Sequence, residues 1–161
     1  MVVVADTSVL LNICRIHQEQ LLMALFQEVW IPIAVRDEFV RHARTTPRFH
    51  GLGLPTWVKV SDPVVVAADV IACPDLDKGE TEALTLSLKL HADAILIDEA
   101  AARAAAIRLG VPFIGLAGIL LKAKQNGLIA AVRPLLDQLE QEAGFWIRRS
   151  FREHVLRLAG E

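Results

Sequence analysis

The stretch Val2-Val3-Val4-Ala5, closed by Asp6 and followed by Thr7 and Ser8, limits the fold more than any other part of the chain. It is a β-branched run without polar alternation, which predicts a strand buried on both faces, as in a parallel sheet. A carboxylate at the carboxyl end of such a strand stands where open α/β sheets place their ligands. Three later segments set an acid in a similar context: Glu38, Glu80 and Asp98. These four are expected to converge on one metal site.

Past Asp6 the apolar spacing turns helical, with Val9, Leu10, Ile13 and Ile16 on one side. A second helix is predicted over about 18–27, with Leu21, Leu22, Leu25 and Phe26 as its apolar face. Val29-Trp30-Ile31 reads as a short strand stopped at Pro32. A helix over about 34–42 carries Val35 and Phe39 inward and Glu38 at the edge of that face. A loop to Pro55 leads to a brief strand over 57–60. Asp62-Pro63 then predicts the opening of a helix over 64–71, because Asp caps well and Pro fits the first turn.

The acidic turn 75–80 feeds a helix to Leu90, and Ala94-Ile95-Leu96-Ile97 forms the next buried strand, ended by Asp98 and Glu99. An alanine-rich helix to Leu109 and a strand over 111–114 complete a βαβ unit, for which a right-handed crossover is expected. Three helical segments follow, over about 116–126, 131–143 and 151–158, with Gly127 as a C-cap. The whole predicts one α/β domain over 1–161, with 145–161 a C-terminal helical extension.

A length of 161 residues suits a single core, and 53% hydrophobic content argues against disorder. Aromatics make up only 6%, so Ala, Val, Leu and Ile must fill that core. The longest uncharged stretch, 109–121, is too short for a membrane span and is broken by Gly110, Pro112, Gly115 and Gly118. The start has no basic region before its apolar run, so no signal peptide is expected, and the cytoplasm is the expected compartment. Cys14 and Cys73 have no metal-ligand spacing and read as small buried hydrophobes in a reduced protein. The net charge of -2 gives no global nucleic-acid signal. Arginines cluster locally instead, as Arg36, Arg41, Arg44 and Arg48, and again as Arg148, Arg149, Arg152 and Arg157.

Carboxylates at strand ends and helix starts are suitable oxygen ligands for Mg²⁺ or Mn²⁺. Four of them together repel one another in the absence of a cation. Each also has a plainer reading: Asp6 and Asp98 as caps, Glu80 as a first-turn acid favoured by the helix dipole, Glu38 as a solvent-facing acid. Thr7 or Ser8 could hold a ligand carboxylate through its hydroxyl. The five histidines show no ligand spacing.

Four blocks read together resemble the PIN-domain nucleases: Val4-Ala5-Asp6-Thr7-Ser8-Val9-Leu10-Leu11, Ile31-Pro32-Ile33-Ala34-Val35-Arg36-Asp37-Glu38, Leu76-Asp77-Lys78-Gly79-Glu80-Thr81-Glu82-Ala83 and Leu96-Ile97-Asp98-Glu99. The stretch Gly118 to Ile129 is similar to a later motif of one branch of that family, and the resemblance runs from Val2 to about Gly144. It implies a three-layer α/β/α sandwich with a short central parallel sheet. It also implies an acid cluster for Mg²⁺ or Mn²⁺ made by Asp6, Glu38, Glu80 and Asp98, with Asp77, Glu82 and Glu99 as further candidates. The expected activity is metal-dependent cleavage of RNA, as the toxin of a toxin–antitoxin pair. The rival reading is a catalytically silent PIN-like subunit that binds RNA or a protein. Some of Arg36, Arg41, Arg44 and Arg48 are expected to border the site and hold phosphates. Leu11, Ile16, Leu21, Leu22 and Phe26 are expected to exceed what their helix pair needs for its own core. They are therefore expected to receive a small antitoxin or a second copy of the chain.

Overall fold

The structure, a computed structural model, describes residues 1–161. Five parallel strands form one sheet: β1 (Val2–Ala5), β2 (Glu28–Ile31), β3 (Lys59–Val60), β4 (Ala94–Leu96) and β5 (Phe113–Ile114), in the order β3-β2-β1-β4-β5. Nine helices accompany it: α1 (Thr7–Arg15), α2 (Gln20–Leu25), α3 (Ile33–Thr45), α4 (Ala68–Ile71), α5 (Lys78–Leu90), α6 (Ala100–Leu109), α7 (Leu116–Gln125), α8 (Arg133–Gln141) and α9 (Arg149–Leu158). The helices flank the sheet as an α/β/α sandwich, the expected class. No helix is long and apolar enough to cross a membrane.

β1 is the middle strand because its side chains can be buried on both faces. Val3, Val4 and Ala5 are wholly inside, and each valine so buried contributes roughly 1.5–3 kcal/mol. Val3 and Val4 pair with Val29 and Trp30 on one side and with Ala94 and Ile95 on the other. The chain runs outward from β1 through β2 to β3, then returns to β4 on β1's opposite side. The order thus reverses between β1 and β4, which opens a crevice beyond their carboxyl ends. Asp6 follows β1 and Asp98 follows β4 by two residues, so the topology sets both acids at that crevice.

Several boundaries differ from the sequence reading. No helix begins after Asp62-Pro63: residues 61–67 have no regular structure, and α4 is only Ala68–Ile71. Three consecutive valines, 64–66, are stiff at χ1 and disfavour a helix start despite the cap-like dipeptide before them. α2 is shorter than predicted, and α3 is longer, because nothing breaks it before Pro47. Leu11, Ile16, Leu21, Leu22 and Phe26 are all buried in the chain's own core. They are no surplus: α2 packs on α7, and α1 lies against α3 and α8. Cys14 and Cys73 are both buried and unpaired, as expected. The C-terminal residues Ile147, Val155 and Leu156 belong to the same core cluster as β1.

Candidate active site

Asp6, Glu38, Glu80 and Asp98 line one open cleft of about 650 Å³, within the range of ligand sites. Asp77 and Glu99 line it too, with Thr7, Ser8, Asn12, His42 and Asp75. Each acid arrives on a different element. Asp6 ends β1 with its N–H bonded to the Leu96 carbonyl of β4 at 3.0 Å. Glu38 comes from the middle of α3, between the buried Val35 and Phe39. Glu80 is in the first turn of α5, and Asp98 leads from β4 into α6.

The mid-chain block Asp77-Lys78-Gly79-Glu80 explains itself locally. Asp77 is the N-cap of α5: its carboxylate accepts the Glu80 N–H at 2.8 Å, while Glu80 accepts the Asp77 N–H at 3.0 Å. That reciprocal pair is a capping box. Between them Gly79 gives its N–H to Glu38 at 3.1 Å, and Thr7 donates its hydroxyl to the other Glu38 oxygen at 2.6 Å. A Cβ at residue 79 would lie 2.9 Å from the Glu38 Cδ, so only glycine leaves room for that carboxylate. Gly115 does the same for Asp98, where a Cβ would stand 2.5 Å from an Asp98 oxygen. The Asp98 carboxylate accepts the Leu116 N–H at 3.1 Å, at the start of α7.

Two groups absent from the sequence reading complete the walls. Arg103, one turn into α6, donates to the Asp98 carbonyl at 2.7 Å and sets its guanidinium 3.9 Å from the carboxylate. Its signal in the sequence is a cation set among alanines in the first half of the helix, with Arg108 in the last turn. The second group is the segment 143–146, whose Trp146 reaches the cleft while 90% exposed. Glu82 is not in the cleft, because its carboxylate turns to the Ala34 N–H at 3.2 Å and caps α3. Among the four arginines expected at the rim, only Arg48 lines the cleft. Arg36, Arg41 and Arg44 line a separate depression on α3 with Asp37 and Val40. The helical twist turns them away from the face that carries Glu38 and His42.

The electrostatics follow from packing acids under cover. Burial pushes the Asp6 carboxyl from an ordinary 3.8 up to about 7, against the pull of the Thr7 N–H; the charges of Glu80, Asp77 and Glu38 raise it further. Glu80 is also pushed up, by burial first and then by Asp77, Glu99 and Glu38, against the Asp77 N–H. Burial raises Asp98 as well, opposed by the Leu116 N–H and by Arg103. An all-oxygen donor set of neighbouring carboxylates fits a hard divalent cation such as Mg²⁺ or Mn²⁺ in chemistry. In spacing, no three of the acidic, histidine or cysteine side chains are gathered closely enough to hold an ion. Protein donors occupy part of three of the four carboxylates instead: Thr7 and Gly79 on Glu38, Asp77 on Glu80, Leu116 on Asp98.

Residues 2–161 match the family described as a PIN domain. The chain belongs to the PIN-domain family. The match extends through α9, past Gly144 where the motif resemblance ends. No curated protein and no solved structure gives a match.

Proposed function

We propose that this PIN-domain chain is a divalent-metal-dependent endoribonuclease. The observation that carries the reading is Asp6, a buried acid held near neutrality at a strand end, facing three further carboxylates in one cleft. A carboxyl in that position is unfavourable for stability alone, and a bound cation would restore its charged form. Asp6, Glu38, Glu80 and Asp98 would hold Mg²⁺ or Mn²⁺, which supplies a Lewis acid for the phosphodiester and an activated water. Thr7 orients Glu38 by its hydroxyl, and Gly79 fixes the opposite oxygen. Gly115 and Leu116 hold the Asp98 carboxylate at the mouth of the crevice. Arg103 sets a positive charge beside Asp98, where charge gathers on a phosphate drawn into the cleft.

The motif blocks support a further extension, that the chain is the toxin of a toxin–antitoxin pair and acts as a homodimer. Any partner would use a surface other than Leu11, Ile16, Leu21, Leu22 and Phe26, which lie inside. The test of the activity is cleavage of an end-labelled RNA with Mn²⁺ or Mg²⁺ and with EDTA, by the parent chain, Asp6→Asn and Asp98→Asn. Cleavage that needs the metal and falls by about 100-fold or more in both variants supports the proposal, since each removes a carboxylate that would hold the ion stabilising charge on the phosphate. Cleavage that survives EDTA or both substitutions overturns it.

A further inference from the structure

The floor of the cleft is acidic, so a polyanion must be held by something above it. Gly144, at φ +68, turns the chain after α8, and the Phe145 N–H returns to the Leu139 carbonyl at 2.9 Å. That turn sends Phe145 and Trp146 to the cleft wall. Phe145 packs against the core, but Trp146 is left 90% exposed. Tryptophan is buried in most settings, so an indole held in water at the lip of a site is available to a ligand. Arg48 stands beside the same turn, its Cδ 3.4 Å from where a Gly144 side chain would begin, and its guanidinium lies 4.8 Å over the Phe49 ring. Beyond Trp146 the chain continues with the exposed Arg148, Arg149 and Phe151.

We propose that Trp146 is a base-stacking platform that selects single-stranded RNA for the cleft, with Arg48 contacting the phosphate of the stacked nucleotide. This rests on the nuclease reading of the cleft and gives its substrate class. An indole face takes any unstacked base, and cations beside it track the backbone. A duplex keeps its bases stacked inside the helix and presents none to Trp146. The scissile phosphate is thereby placed by its neighbours, not by the acids that repel it.

The test is fluorescence anisotropy of a labelled single-stranded oligoribonucleotide and of its duplex, without divalent ion, in an Asp6→Asn background. Trp146→Ala is expected to weaken single-strand binding about 5- to 100-fold, the range for loss of one stacked base. Trp146→Phe should retain most of it, and duplex binding should not change. Quenching of tryptophan emission by the single strand should be lost in Trp146→Phe. Equal single-strand affinity in parent and Trp146→Ala, or an equal loss for duplex, overturns the proposal. So does a self-association that Trp146→Ala abolishes while RNA binding is unchanged, because Trp146 would then serve a contact between chains. Binding is read here without metal or cleavage, so its failure leaves the nuclease reading standing. Trp146-dependent binding in a chain that never cuts RNA would instead identify a silent RNA-binding subunit.

Discussion

Glu38 and Gly79 are joined by a 3.1 Å hydrogen bond across 41 residues of chain, and the glycine's missing side chain is the space the carboxylate occupies. Gly79→Ala is therefore expected to displace the Glu38 carboxylate, with only a small change in stability because the end of a flexible side chain is all that must move. Urea unfolding checks the stability, and Mn²⁺ titration measures the displaced carboxylate. Unchanged metal affinity would contradict the tie between the two residues.

Asp6 gives the metal-free protein a pH signature. Its folded pKa, about 7, lies above the ordinary 3.8, so between those values the folded state binds more protons than the unfolded chain. Stability therefore falls as pH rises from about 4 through 7, by roughly 4 kcal/mol at most for a shift of this size. Asp6→Asn should flatten that slope and be the more stable form in EDTA at pH 8, while adding Mn²⁺ should stabilise only the parent. Denaturant midpoints across pH 4–8 decide it. A parent whose metal-free stability rises steadily over that range would refute the assignment.

Asp77 is a cap by geometry, and its two conservative variants separate that role from metal binding. Asp77→Ala should cost about 0.5–2 kcal/mol, whereas Asp77→Asn, which keeps the acceptor, should cost much less. A loss of Mn²⁺ affinity in Asp77→Asn at intact stability would show Asp77 to be a ligand as well.

Cys14 is pushed up to about 12 by burial and then by the charge of Glu19. Its thiol should not react with a disulfide reagent at pH 8 in the folded protein and should react fully in denaturant. Prompt labelling of Cys14 before unfolding would show that α1 is not packed as described.

How much of this was legible in the sequence depends on range. β1 and its terminal Asp6 could be read because a β-branched run needs no distant partner to identify it. The βαβ unit around Asp98 was equally plain, with Gly110 ending α6 at φ +69. The Glu38 carboxylate could be named from its motif but not oriented, since its place depends on Thr7 and Gly79, which are remote in sequence. Glu82 stood as a further candidate beside Glu80, and only the contact of α3 with α5 shows that it caps Ala34. Asp62-Pro63 misled because a cap-like dipeptide is weaker evidence than the three β-branched valines after it. Trp146 was invisible because exposure is a property of the packed chain: a tryptophan between Phe145 and Ile147 reads as core, yet of the last two only Ile147 is buried.

The most direct measurement is an anomalous difference map from a crystal of the chain soaked in Mn²⁺. The expected result is a peak in the cleft, coordinated by oxygens of Asp6 and Asp98 with Glu38 or Glu80 drawn in from its present hydrogen bonds. A cleft without a peak at millimolar Mn²⁺, its carboxylates still held by Thr7, Gly79, Asp77 and Leu116, would contradict the metal-dependent reading.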